Sequence, residues 1–259
     1  MKNTIIIITL AALLSTTSCE KEIVLDVNPS EPRYVIEAMI EAGSAARVRV
    51  TRSKNYNEDN LYPSVEDALI TITSDNGQSE ILILMPSGVY ESATVAGTEG
   101  VTYRLSIEID DHLYTSEAKI PDRVPIANLD MFTIPVLNAA FPRVTLDDPQ
   151  DIDNYYRIRL FINDKLMPDI HISDDKDTDG VPNIIILPYD PKYNSDKEIQ
   201  KGDKIGVEML CTDSGSYTYF ETLRRLGSSL TNPISNISGG ALGYFCAYTS
   251  EKREIIADW

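Results

Sequence analysis

Leu69-Ile70-Thr71-Ile72-Thr73-Ser74-Asp75-Asn76-Gly77-Gln78-Ser79-Glu80-Ile81-Leu82-Ile83 carries the pattern that decides the fold. Apolar and polar residues alternate with period two before Asp75-Asn76-Gly77 and resume after it, as in two strands that each bury one face. The Asn-Gly pair tolerates positive φ, so the segment folds back on itself as a hairpin. Its first arm is Leu69–Ser74 and its second is Ser79–Met85.

The same period extends in both directions. Upstream it marks Tyr34–Ile40 and Ala46–Ser53; downstream it marks Val101–Ile109 and His112–Lys119, joined by the turn Asp110-Asp111. Six or seven short strands over roughly ninety residues describe an immunoglobulin-like β-sandwich, expected over residues 34–120. Pro121, Pro125, Pro135 and Pro142 then exclude helix and disfavour a central strand, so 121–142 reads as a Pro-rich linker that becomes an edge strand. Alternation resumes in Tyr155–Asn163, Asp169–Ser173, Asn183–Pro188, Lys204–Cys211 and Gly243–Ser250. One helix is expected near 216–226, with Asp213 or Ser214 as its cap and Tyr219, Phe220, Leu223 and Leu226 on one face. The fold class is therefore mainly β: an N-terminal immunoglobulin-like β-sandwich followed, over 143–259, by a second β-rich domain with one packed α-helix.

Residues 1–18 read as a lipoprotein signal peptide, with Lys2 as the positive start and Ile5–Leu14 as the apolar run. That run is shorter than the roughly 20 residues a membrane-crossing helix needs, and no later stretch approaches it. Thr16-Thr17-Ser18-Cys19 fits a lipobox at the small residue before cysteine and lacks the usual leucine three positions before it. Cys19 is the expected lipidation site, and 19–33, with Pro29 and Pro32, reads as a flexible tether.

The chain has 259 residues and a net charge of −17, an acidic balance that confers solubility. Nucleic acid is not expected as a partner, because phosphate binding needs clustered Lys and Arg. Here Arg47/Arg49/Arg52 reads as a strand face and Arg224-Arg225 as part of a helix. In an exported protein Cys211 and Cys246 can form a disulfide or stay as two buried thiols packed as small hydrophobes; both readings stand.

Catalytic groups are sparse. His112 falls in a turn, and His171, alternating with Ile170 and Ile172, is expected on the exposed side of a strand. No Gly-x-Ser-x-Gly elbow, His-Glu-x-x-His pair or phosphate loop occurs, so an enzyme is not expected. Asp175-x-Asp177-x-Asp179-Gly180 matches the opening of a calcium loop, with oxygens at alternate positions and glycine at the sharp turn. The bidentate Glu of an EF-hand is absent, since Ile186 stands there. A solvated acidic hairpin tip is the favoured reading, and calcium held by Asp175, Asp177 and Asp179 is the alternative. Fourteen tyrosines against the single Trp259 define no sugar-stacking platform from sequence.

Several segments in order resemble a known family. They include Cys19-Glu20-Lys21-Glu22-Ile23, Arg33-Tyr34-Val35-Ile36-Glu37-Ala38, Pro63-Ser64-Val65-Glu66-Asp67-Ala68 and Pro86-Ser87-Gly88-Val89-Tyr90. Gly100-Val101-Thr102-Tyr103-Arg104-Leu105, Tyr114-Thr115-Ser116-Glu117, Asn154-Tyr155-Tyr156-Arg157 and Ile172-Ser173-Asp174-Asp175 continue the series. Asn236-Ile237 and Gly239-Gly240-Ala241-Leu242-Gly243-Tyr244-Phe245 close it. Together they resemble the Bacteroidota lipoprotein family known only as domain of unknown function 4249 (DUF4249). The resemblance implies a lipid-anchored, surface-exposed protein of the outer membrane. It implies an accessory role beside a TonB-dependent transporter that contacts either transporter or nutrient. Glu20 and Glu22 look like an acidic surface-export signal. A surface adhesion or structural role without transport is the alternative, and a hydrolase with an unrecognised site is a minor one.

Overall fold

The computed structural model describes residues 31–55, 59, 61–137, 139–226 and 231–259. The signal peptide, Cys19 and most of the tether lie outside the described residues. In chain order the first half contains β1 Tyr34–Glu41, β2 Ala45–Arg52, β3 Leu69–Ser74, β4 Ser79–Ile81, β5 Ile83–Leu84, β6 Tyr90–Ala96, β7 Thr102–Ile109 and β8 His112–Lys119. The second half contains β9 Ile126–Ile134, β10 Ala139–Leu146, β11 Tyr155–Ile162, β12 Lys165–Leu166, β13 His171–Asp174, β14 Asn183–Ile186, β15 Lys204–Thr212, α1 Ser214–Arg224 and β16 Leu242–Ile256. The protein is mainly β, and α1 is the one α-helix among the described residues. No helix among them is long and apolar enough to cross a membrane.

The β3–β4 hairpin forms where Asn-Gly expects it. Only Gly77 takes positive φ, at +92°, while Gly77 N–H donates to the Ser74 carbonyl at 3.1 Å. This is a four-residue turn closed by a left-handed glycine, not a turn with two left-handed residues. The latter geometry occurs at Asp110-Asp111, with φ of 49° and 62°, where aspartate tolerates the left-handed region. The second arm of the hairpin divides at buried Leu82: β4 stays with β3, and β5 pairs with β6.

Among the described residues the strands form three sheets. The largest runs β12-β11-β15-β16-β1-β2-β6-β5, with β13 also on β11; the others are β4-β3-β7-β8 and β14-β10-β9. Its centre is the parallel pairing of β1 with β16, which brings Ala38 opposite Phe245 and Ile40 opposite Ala247. Gly243 permits it: φ is +100°, and a Cβ there would lie 2.0 Å from the Ile36 carbonyl oxygen.

Alternation gives the large sheet two unlike faces. On one, Ile36, Ala38, Ile40, Val48, Val50 and Phe245 meet Ile70, Ile72, Leu105 and Ile107 of the four-stranded sheet in a first core. Further along the same face, Ile158, Leu160, Val207, Met209 and Cys211 meet Ile126, Leu129, Val144 and Leu146 in a second core. Burying each Val, Leu, Ile, Met or Phe side chain among them contributes about 1.5–3 kcal/mol before the entropy of ordering is subtracted. The first core draws on residues up to Ile120 together with Ile237, Ala241, Phe245 and Ala247, the second on residues from Val124 on, and both stand on one continuous sheet.

Residues 121–142 supply β9 at the edge of the three-stranded sheet and the start of β10, its central strand. Pro142 fits there because its carbonyl accepts from Leu187 N–H at 2.9 Å on the β14 side. Pro142 faces Leu187 one step past the last paired residues, Arg143 and Ile186, so its missing N–H costs a single bond at the end of the β10–β14 ladder.

Candidate functional site

The other face of the large sheet turns away from both cores. Register puts Arg157 and Arg159 of β11, Glu208 and Leu210 of β15, Tyr244, Cys246 and Tyr248 of β16, and Glu37, Met39 and Glu41 of β1 on it. α1 covers one end. Asp213 caps the helix by accepting the Ser216 N–H at 2.8 Å, and the helix buries Phe220. Leu226, expected on the buried side, lies past the helix end and is exposed.

Under the helix the ring of Phe220 lies 4.9 Å from that of Tyr244, Tyr219 lies 4.8 Å from Tyr244, and Tyr155 lies 5.2 Å from Tyr217. The Arg157 guanidinium stacks over Phe220 at 3.7 Å. Burial lowers the Arg157 pKa and raises those of Tyr219 and Tyr244. Beyond the helix the face carries charge: Glu208 bridges Arg159 at 2.9 Å and Lys252 at 3.2 Å. Burial alone would raise the Glu208 pKa, but these two cations outweigh it and hold it low.

At the β1–β2 end this face opens into a cleft of 920 Å³, walled by Val35, Glu37, Arg49, Thr51, Lys54 and the segment containing Leu61 and Tyr62. A smaller hollow of 170 Å³ shares Glu37 and Arg49 and adds Met39, Arg47, Val89 and Tyr244. Glu37 and Arg49 are register partners. Among the described residues neither joins an ion pair, whereas Arg47 pairs with Glu91 at 2.9 Å and Lys54 with Asp59 at 2.5 Å. Leu61 is 70 % and Tyr62 45 % exposed. The Arg49 guanidinium donates to the Tyr62 carbonyl at 3.4 Å; with no carboxylate bridging it among the described residues, a carboxylate in no ion pair and two exposed apolar groups beside it, the cleft can bind a ligand that is polar at one end and apolar at the other. The described lining contains no histidine, cysteine or serine.

The residues singled out in the sequence lie elsewhere. Cys211 and Cys246 are both free and buried. Cys211 pairs in register with Thr249, so the three-residue offset to Cys246 puts the thiols on opposite faces of the sheet. Cys211 Sγ accepts from the Val124 N–H at 3.4 Å, and Cys246 Sγ lies 3.3 Å from Thr212 Oγ1.

His112 is exposed, but His171 is buried, contrary to expectation. Pairing with Ile158 of the second core turns it inward, burial lowers its pKa, and its Nε2 has no hydrogen-bond partner.

Asp175 and Asp179 converge with a residue that sequence reading missed, Asp148, to bring three carboxylate oxygens within 4.8 Å of one another. Asp177 is exposed and outside that group. Asp148 follows β10 in an ordinary acidic stretch, and only the pairing of β10 with β14 reveals its neighbours.

A family model described as "Domain of unknown function (DUF4249)" matches residues 20–254. No curated protein matches the chain.

Proposed function

Since this chain belongs to the DUF4249 family, we propose that it is a non-enzymatic cell-envelope lipoprotein, a surface accessory of a TonB-dependent outer-membrane nutrient uptake system. The observation that carries this reading is the apolar run Ile5–Leu14 closed by Ser18-Cys19, with the family match starting directly after it at residue 20. Acyl chains on Cys19 anchor the protein to the outer membrane, each buried methylene contributing about 0.8 kcal/mol.

The cleft at Glu37 and Arg49 supports a recognition role, because two charges in no ion pair among the described residues, beside exposed Leu61 and Tyr62, suit a partner surface or a nutrient. For residues 34–120 the proposal keeps an immunoglobulin-like sandwich. Support comes from two sheets enclosing one core, with β1 beside β2 in one and β3 beside β7 in the other.

Affinity capture of the full-length protein from detergent-solubilised membranes of its own host tests the role. A TonB-dependent transporter should co-purify, and Arg49→Glu should deplete it. Capture of the intact lipoprotein with no transporter overturns the accessory role and leaves adhesion or structure at the surface.

A further inference from the structure

Two loops meet where the three-stranded sheet joins the large one. The first connects β10 to β11 and carries Asp148; the second connects β13 to β14 and carries Asp175 and Asp179. Their carboxylates approach within 4.8 Å, although like charges repel, and none of the three is ion-paired with a cation among the described residues.

Each carboxylate has one oxygen already engaged. Asp148 Oδ1 accepts from the Tyr156 hydroxyl, and the Gly180 N–H also lies against this carboxylate. Asp175 Oδ2 accepts from Asn154 N–H at 2.7 Å, and Asp179 Oδ1 accepts from Asp151 N–H at 2.8 Å. These bonds orient the three groups and leave one oxygen of each over. The leftover Asp148 oxygen is the telling one: the residue is 7 % exposed, and Oδ2 is buried with no hydrogen-bond partner. The Thr178 hydroxyl, next to Asp179, is likewise buried and unpartnered. Buried polar atoms are almost always satisfied, and each exception calls for a cause.

We propose that Asp148, Asp175 and Asp179 hold a calcium ion that ties the β10–β11 loop to the β13–β14 loop. Calcium binds oxygen at 2.3–2.6 Å, so two oxygens on one ion lie no more than about 5 Å apart, as these do. It accepts six to eight oxygens in flexible geometry, which suits carboxylates from two loops completed by hydroxyl, carbonyl or water oxygens. Magnesium demands a tighter octahedron and sheds water reluctantly. The bound charge offsets the mutual repulsion and satisfies Asp148 Oδ2. This ligand set differs from the one suggested by Asp175-x-Asp177-x-Asp179, because Asp177 points out of the group and Asp148 replaces it.

The test uses the full-length mature protein in detergent, stripped with a chelator and titrated with calcium chloride by calorimetry and by melting temperature. Expected are one ion per chain, a Kd at or below about 10⁻⁴–10⁻³ M as in extracellular modules, and a higher melting temperature. Asp179→Asn, at an exposed position that folding tolerates, should weaken binding at least about tenfold, and Asp177→Asn should leave it unchanged. Asp148→Asn should abolish the calcium response while melting no lower than wild type in chelator, because a buried charge has been removed. The proposal is overturned by no heat and no melting shift at millimolar calcium, by an equal response to magnesium, or by Asp177→Asn weakening binding as much as Asp179→Asn.

Discussion

The Arg157 guanidinium of β11 lies 3.7 Å from the centroid of the Phe220 ring of α1. Among the described residues no carboxylate pairs with Arg157, so the aromatic face is its main compensation for burial. This contact pins the one α-helix among the described residues to the outer face of the large sheet and leaves the β1–β2 end uncovered.

Phe220→Leu keeps most of the apolar volume and removes the ring. It should cost about 1–2 kcal/mol in denaturant unfolding, of which about 0.5–2 kcal/mol is the cation contact. A double-mutant cycle with Arg157→Met separates that part, and a coupling near zero would show that the stacking contributes nothing.

Glu80 contributes stability that is lost in acid. Burial would raise its pKa, but hydrogen bonds from the Val95, Ala93 and Thr94 N–H groups and the Thr94 hydroxyl prevail and lower it from 4.5 to about 2. A lowered folded pKa means that the stabilisation is complete above the unfolded value and is lost as pH falls through the folded one. The window therefore runs from about pH 4.5 down to about 2. Glu80→Gln should lower the melting temperature at pH 7 and flatten its decline across that window; an unchanged decline would contradict the assignment.

Gly243→Ala should disrupt the junction of β1 and β16. The added Cβ would meet the Ile36 carbonyl oxygen at 2.0 Å, and φ of +100° is unfavourable for alanine. Strain of this kind costs of order 1–3 kcal/mol before the clash is relieved. A clear fall in melting temperature is expected, whereas Gly240→Ala, with nothing within 4 Å of its Cβ, should cost less.

Local signals carried much of the fold. Leu69–Ser74 and His112–Lys119 alternate cleanly because one side of each strand is buried, and Asp213 announces the helix by its capping chemistry. β6 escaped notice because Tyr90–Ala96 mixes Ser, Ala and Thr with few apolar residues, and its place beside β2 is a long-range pairing. The full length of β16 was hidden by Glu251-Lys252-Arg253-Glu254, whose charges project from the part of the strand, Tyr248 to Ile256, that β15 pairs. Burial of His171 depends on which side of β13 meets β11, a register that alternation alone leaves open. The cleft and the three-carboxylate cluster were illegible for the same reason. Arg49 opposite Glu37, and Asp148 beside Asp175, are neighbours only after the sheets assemble.

Photo-crosslinking from the cleft tests the accessory role most directly. Tyr62 is replaced by p-benzoylphenylalanine in the full-length, membrane-anchored protein, and living cells are irradiated. The account expects an adduct with a TonB-dependent outer-membrane transporter, reduced when Arg49→Glu is added. Efficient adducts with other surface molecules and none with a transporter would contradict it.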